Sequence, residues 1–179
     1  MDALDAIRQR HSFRGLYKDT PVSREDLVKI LEAGLAAPSG CNKQTTSCIA
    51  LDDPILINSI TNLVKKNGFK GADKNPPAGI CVLTRRISAY GDVYFNIQDY
   101  AAAIENMLLA ITALGYASCW IEGQVESAET REQIAKMLNI PADYAVVGFL
   151  PVGVPEKEGK RPAYKAFEER AWFNGFGQR

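Results

Sequence analysis

A single histidine, His11, stands in a chain of 179 residues. Sites built on several imidazoles are therefore excluded, among them the common multi-histidine zinc centres. The four cysteines, Cys41, Cys48, Cys81 and Cys119, lack Cys-x-x-Cys spacing, so no zinc ribbon or dithiol motif is written in them. Three of them lie in apolar surroundings and read as reduced core residues. Neither sign of charge is in excess, with 21 basic against 21 acidic residues. That balance gives no global field for nucleic acid or for an anionic membrane surface. Charge interrupts every apolar run well short of a bilayer span. The first residues, M-D-A-L-D-A-I-R-Q-R, are acidic and amphipathic rather than leader-like. Also missing are a Gly-x-Gly-x-x-Gly turn after a strand, a P-loop and a Gly-x-Ser-x-Gly elbow. The expectation is a cytoplasmic protein with no metal, no nucleic acid and no membrane partner.

What the chain does have is apolar content, 46% of its residues, enough for a true core. Its length suits one domain, residues 1–179. The stretch around which the rest is arranged runs over residues 97–123. Its first part is rich in Ala, Leu, Ile and Met, and predicts a helix to about Leu114, with Gly115 as the stop. The apolar positions exceed a single stripe, so this helix is expected to be buried on most sides, as a core spine or partly in a subunit interface. Residues 117–121 read as a short buried strand ending at Glu122-Gly123.

The other elements follow from caps and spacing. A first helix is expected from Asp2 to about Arg10, with Leu4 and Ile7 inward. Ser23 opens a second, with Leu27, Ile30, Leu31 and Leu35 at helical spacing. Asp53-Pro54 opens a third, running to about Lys66. Residues 127–138 predict a further amphipathic helix. Strands are expected over 47–51, 79–84 and 144–154. A lysine-bearing loop at 67–77 is either a solvated connection or a steering patch for anions. From Glu156 onward regular pattern fades while aromatics accumulate: Tyr164, Phe167, Trp172, Phe173 and Phe176. A tail of that kind is expected to dock on something, a second subunit being one choice.

Several polar clusters interrupt this plan. Arg10-His11-Ser12-Phe13-Arg14 reads either as a phosphate cradle, because arginine forks match phosphate oxygens, or as a solvated basic turn. A Cys-His hydrolase would need His11, whose protonated form two flanking arginines disfavour, and no cysteine is singled out as its partner. Pro38, Ser39, Gly40, Asn42 and Gln44 offer backbone and amide groups to a planar polar ligand, or simply end a helix. Glu122 and Gly123 could turn backbone N–H groups toward a ligand. Lys160 and Arg161 form a late basic pair.

Taken in order, R-H-S-F-R, then A-P-S-G-C-N-K-Q, then D-Y-A-A-A-I-E-N-M-L-L-A-I-T-A-L-G-Y-A-S-C-W-I-E-G, then the basic pair, the chain resembles the nitroreductase family of FMN-dependent oxidoreductases along almost its full length. The resemblance implies an α+β fold, with a mixed, mainly antiparallel sheet flanked by helices. It also implies an intertwined homodimer with FMN at the interface, each tail (about residues 156–179) wrapping the partner. Carried over, Arg10, His11 and Ser12 hold the FMN phosphate and ribityl chain, and Arg14 sits near the pyrimidine edge as an electrostatic tuner. Pro38, Ser39, Gly40 and Asn42 come from the other subunit. Glu122 and Gly123 place N–H groups by the ring, and Lys160 or Arg161 reaches the phosphate. The implied reaction is ping-pong transfer of electrons from NAD(P)H to nitro compounds, quinones or similar small oxidants, with no protein acid or base required. The alternatives are a flavin store or sensor without nicotinamide turnover, and a same-fold enzyme with different flavin chemistry. The chain departs from the family in its short link between strand and spine helix, residues 85–94. There Tyr90, Tyr94 and Phe95 are either a reduced lid or core aromatics. It also places Cys41 where a small residue is common.

Overall fold

The computed structural model describes residues 1–69 and 76–178. The stretch 70–75, which holds most of the expected lysine-bearing loop, lies outside them. Five α-helices and five strands are described in the order α1 (Ala3–Gln9), α2 (Arg24–Leu35), β1 (Thr46–Leu51), α3 (Pro54–Lys66), β2 (Ala78–Thr84), β3 (Ser88–Tyr90), β4 (Val93–Tyr94), α4 (Asn96–Ala113), α5 (Ala128–Met137) and β5 (Ala145–Val152). Single 3-10 turns lie at Gly40–Asn42 and Phe167–Glu169.

The helix starts are set by side-chain caps. Asp2, Ser23, Asp53 and Ser127 each accept a hydrogen bond from a backbone N–H in the first turn, and Pro54 fills the first position of α3. Each bond satisfies a donor that the helix leaves unpaired. β1, β2 and β5 form one sheet in the order β1-β2-β5, with antiparallel pairing throughout. β2 is central and all seven of its residues are buried.

The two faces of β2 define two halves of the core, because strand side chains alternate. Ile80 and Val82 pack with Ile30 of α2 and Ile104, Met107 and Ile111 of α4. Cys81 and Leu83 pack with Ile57, Ile60 and Val64 of α3 and Ile134 of α5. The fold is therefore α+β, a sheet covered by helices on both faces.

Three local expectations change. Residues 117–121 do not form a regular ladder; they touch β5 and its end at isolated antiparallel bridges, Ala117 with Gly153 and Ile121 with Phe149. A register shift between Val82 and Leu83 interrupts the β2–β5 pairing nearby, and the cross-strand pattern along β5 is uneven on that account. In α1 the inward residue is Ala6, whereas Leu4 and Ile7 are 60% and 49% exposed. α4 buries one broad face, Asp99, Tyr100, Ala103, Ile104, Met107, Leu108 and Ile111, and leaves Ile97 exposed. Among the described residues no helix is long and apolar enough to cross a membrane.

After β5 the chain runs antiparallel to residues 16–18. Lys18 N–H donates to Val154 O and Glu156 N–H to Leu16 O, at 2.8 and 2.9 Å. Beyond that, the tail exposes Tyr164, Phe167, Phe173 and Phe176, with Trp172 stacked on Phe176 at 4.2 Å between centroids.

Candidate active site

The segment between α1 and α2 is fixed by Phe13. Its N–H donates to Ser118 O at 2.8 Å, and its buried ring meets Tyr17 edge-on at 5.1 Å. In an extended chain the neighbours of an inward residue point outward, and Ser12 and Arg14 are both exposed. They form one wall of a cleft of about 370 Å³ whose other wall is Glu156, Lys157, Glu158, Gly159 and Lys160. Two expected residues of the phosphate group, Ser12 and Arg14, thus meet a third, Lys160, from the far end of the chain.

Arg10 goes elsewhere: its guanidinium pairs with Glu105 of α4 at 3.1 Å. His11 Nδ1 donates to Gln9 O at 3.0 Å, since a carbonyl can only accept. Its buried Nε2 lies so close to residue 159 that a Cβ there would sit 2.1 Å away. Glycine at 159 is therefore what lets the tail lie over the imidazole. Arg161 stacks on Tyr164, 4.9 Å from the ring centre.

Pro38, Ser39, Gly40 and Asn42 lie in a second place, after α2. Pro38 and Ser39 line a smaller cleft of about 180 Å³ with Gln44, Thr45 and Asp99. The loop is held against its own preferences. Cys41, Asn42 and Gln44 have φ of 50°, 54° and 48°, a region that side-chain-bearing residues seldom adopt. Asp99, in the first turn of α4 and 5% exposed, holds it with both carboxylate oxygens. Oδ1 accepts from Gly40 N–H at 2.8 Å and Oδ2 from the Thr45 hydroxyl at 2.7 Å. Ser39 Oγ accepts from Gln44 N–H at 2.9 Å. A Cβ at residue 40 would lie 2.2 Å from the Phe95 ring, so Gly40 is required for that ring to close on the loop.

Glu122 and Gly123 form a third group. Glu122 Oε1 accepts from the Tyr100 hydroxyl at 2.9 Å, while Gly123 is exposed with open space around it. Burial, followed by that hydrogen bond, pushes the Tyr100 phenol up to about 12. Burial raises three of the four thiols, Cys48 and Cys81 to about 12 and Cys119 to about 11, and so disfavours their thiolates. Cys41, the one exposed thiol, sits inside the strained loop.

Sequence reasoning missed Asp99, Glu105 and Tyr100 as partners of the site groups. One signal was present: Asp99 and Glu105 are the only acids in a helix that is otherwise largely apolar, and a charge on such a helix has a specific partner or faces water.

Comparison with known proteins gives the family. Two overlapping segments, residues 7–75 and 62–154, match the model of the Nitroreductase family. The chain belongs to that family. A nitroreductase relative from Archaeoglobus fulgidus, named provisionally as an NADH dehydrogenase/NAD(P)H nitroreductase, is 32% identical over 159 residues, covering 88% of this chain and 87% of its own. Among solved structures, a BluB-like flavoprotein from Clostridium difficile 630 superposes with a TM-score of 0.83 at 26% identity, over 98% of this chain and 100% of that one. A nitroreductase with bound FMN from Bacteroides fragilis superposes with a TM-score of 0.74 at 27% identity, over 93% and 96%.

Proposed function

We propose that this nitroreductase-family chain is an FMN-dependent oxidoreductase that passes electrons from NAD(P)H to nitro compounds, quinones or similar small acceptors, as one single-domain subunit of a homodimer. One observation carries the reading: Ser12, Arg14 and Lys160 line one cleft, a hydroxyl together with two cations. That donor set fits a phosphate, and the cleft is open enough for a chain bearing one. FMN, bound there, supplies two-electron chemistry that no side chain can. The protein's share is placement and charge. Ser12 and Lys160 hold the phosphate. Arg14 gives a fixed positive charge at the ring edge where negative charge collects. Glu122, steadied by Tyr100, sets the backbone at Gly123 so that its N–H groups face the ring. His11 shapes the cleft by packing under Gly159.

The homodimer is part of the reading because the strained loop of Pro38, Ser39, Gly40 and Asn42 lines a different cleft of the same chain. A second copy can bring that loop to the first cleft. Arg10, paired to Glu105, reaches phosphate by exchanging one anion for another.

Likeness to a BluB-like flavoprotein favours a second reading, a same-fold enzyme with other flavin chemistry. One experiment separates the two. Purified protein should be yellow, release FMN rather than FAD on heating, and be bleached anaerobically by NADH or NADPH. FAD, or no flavin after reconstitution, would overturn the FMN reading. Bound FMN that neither nicotinamide bleaches would move the assignment to the second.

A further inference from the structure

Two buried hydroxyls have no part in the reading above. Tyr17 is 1% exposed and Thr61 3%, and among the described residues neither hydroxyl has a hydrogen-bond partner. Thr61 is the polar member of the buried face of α3, with Ile57, Ile60 and Val64. A serine or threonine inside a helix commonly returns its hydroxyl to the carbonyl one turn back. Ser59 does so to Ile55 O and Thr112 to Leu108 O, both at 2.8 Å. Thr61 does not. Burying a hydroxyl without a partner is unfavourable, so two in one place call for a shared one.

Both residues line one chamber of about 10 Å³, on the scale of a single water. Its other lining side chains are apolar except Arg14, which also lines the open cleft with Ser12 and Lys160. Arg14 is thus shared between cleft and chamber. The Cys119 thiol, 1% exposed, lies within electrostatic reach of both the Tyr17 phenol and the Arg14 guanidinium. The cationic head is therefore near the interior as well as the solvent. Arg14 can only donate. Burial, and after it Cys119, holds the Tyr17 phenol well above its ordinary value, so it keeps its proton and donates too. A water has lone pairs for both donors and a hydrogen for Thr61 Oγ1. That makes about three polar partners, the typical count for a buried water.

We propose that Tyr17 and Thr61 are positioning residues: through one ordered water in this chamber they hold the Arg14 guanidinium at the flavin edge. This rests on the FMN reading of the site. An arginine at an open cleft has many rotamers, and its charge stabilises a reduced ring most when it is fixed in place beforehand. The chamber supplies that fixing from behind, on the side away from the ligand.

The test has two parts. A high-resolution crystal structure of the parent protein, with or without FMN, should show a water at about 2.7–3.2 Å from Tyr17 Oη, Thr61 Oγ1 and an Arg14 nitrogen. No water there, or one out of reach of Arg14, would overturn the inference. The second part is a redox titration of bound FMN. Tyr17→Phe, which keeps the ring that meets Phe13, and Thr61→Val should each lower the midpoint potential, in the same direction as Arg14→Gln and by less. In an Arg14→Gln background neither should lower it further, because the route through the guanidinium is gone. A hydroxyl with a merely structural role would leave the parent potential unmoved, or shift it equally in both backgrounds; either result removes Tyr17 and Thr61 from this role. If one variant fails to fold, the other and the crystal structure decide. Flavin identity and bleaching by NAD(P)H, measured first, report on the FMN reading separately, and apoprotein crystals show the water whatever their outcome.

Discussion

Lys160 and Arg161 are adjacent in sequence and differ in surroundings. Lys160 lines the cleft with Ser12 and Arg14, while Arg161 lies on Tyr164. Lys160→Ala should weaken FMN binding by about 1.5–3 kcal/mol, the range for a hydrogen bond to a charged group. Arg161→Ala should change it by less than about 0.5 kcal/mol, as for surface residues without a special role. Quenching of FMN fluorescence on titration into apoprotein measures both. Asp99 carries a second prediction. Asp99→Ala leaves the Gly40 N–H and the Thr45 hydroxyl without an acceptor, and should cost about 2–4 kcal/mol in urea unfolding. Asp99→Asn keeps an acceptor and should cost about half as much. At this scale the sequence was legible for chemistry and poor for partners. A serine and two cations of the cleft could be named from R-H-S-F-R and the late basic pair. That Glu105 would take Arg10 could not, because ion pairing between residues so far apart in sequence depends on how α1 lies against α4.

At the scale of elements, caps and spacing located α2, α3 and α5 to within a few residues, since Ser23, Asp53 and Ser127 act locally. Residues 117–121 were harder. Apolar content places them inside, but regular pairing depends on β5, whose register shifts opposite β2. α1 was misjudged for a similar reason: its apolar residues follow a helical period, and the period cannot say whether a face meets its own core or another surface. The sheet itself supports a pH prediction. Cys48 of β1 and Cys81 of β2 have their thiols pushed by burial from 9.0 to about 12. A pKa raised in the folded state contributes stability that is present below the unfolded value and is lost as pH rises toward the folded one. The urea midpoint should therefore hold from pH 7 to about 9 and fall between about 9 and 12. In Cys81→Ala the fall should be shallower, whatever the offset at neutral pH. Equal slopes for the two proteins would remove the thiol from this account.

For the whole molecule, apolar surface is left over. Leu4, Ile7, Val28, Leu35 and Ile97 are exposed on three helices, of which α1 and α2 both pack against α4. Phe167, Phe173 and Phe176 are exposed on the tail. If the proposed homodimer covers them, Trp172→Ser with Phe173→Ser should weaken both dimer and FMN retention, because buried aromatic anchors dominate interfaces. Light scattering and the absorbance of bound flavin, measured on the same sample, test this. A fully yellow monomer, from the variant or the parent chain, would contradict the proposed assembly.

The order of strands in the sheet also has a consequence for synthesis. β2 is the central strand and every one of its residues is buried, yet its two neighbours lie on opposite sides of it in the chain. β1 is already made when β2 leaves the ribosome, so one edge can pair at once. The other edge must wait for β5, roughly sixty residues later, or about 3–12 s at about 5–20 residues per second. During that interval an apolar strand has one edge open, one face waiting for α4 and the other for α5. The nascent chain is thus most exposed to mispairing and to chaperone capture between the completion of β2 and the arrival of Val152.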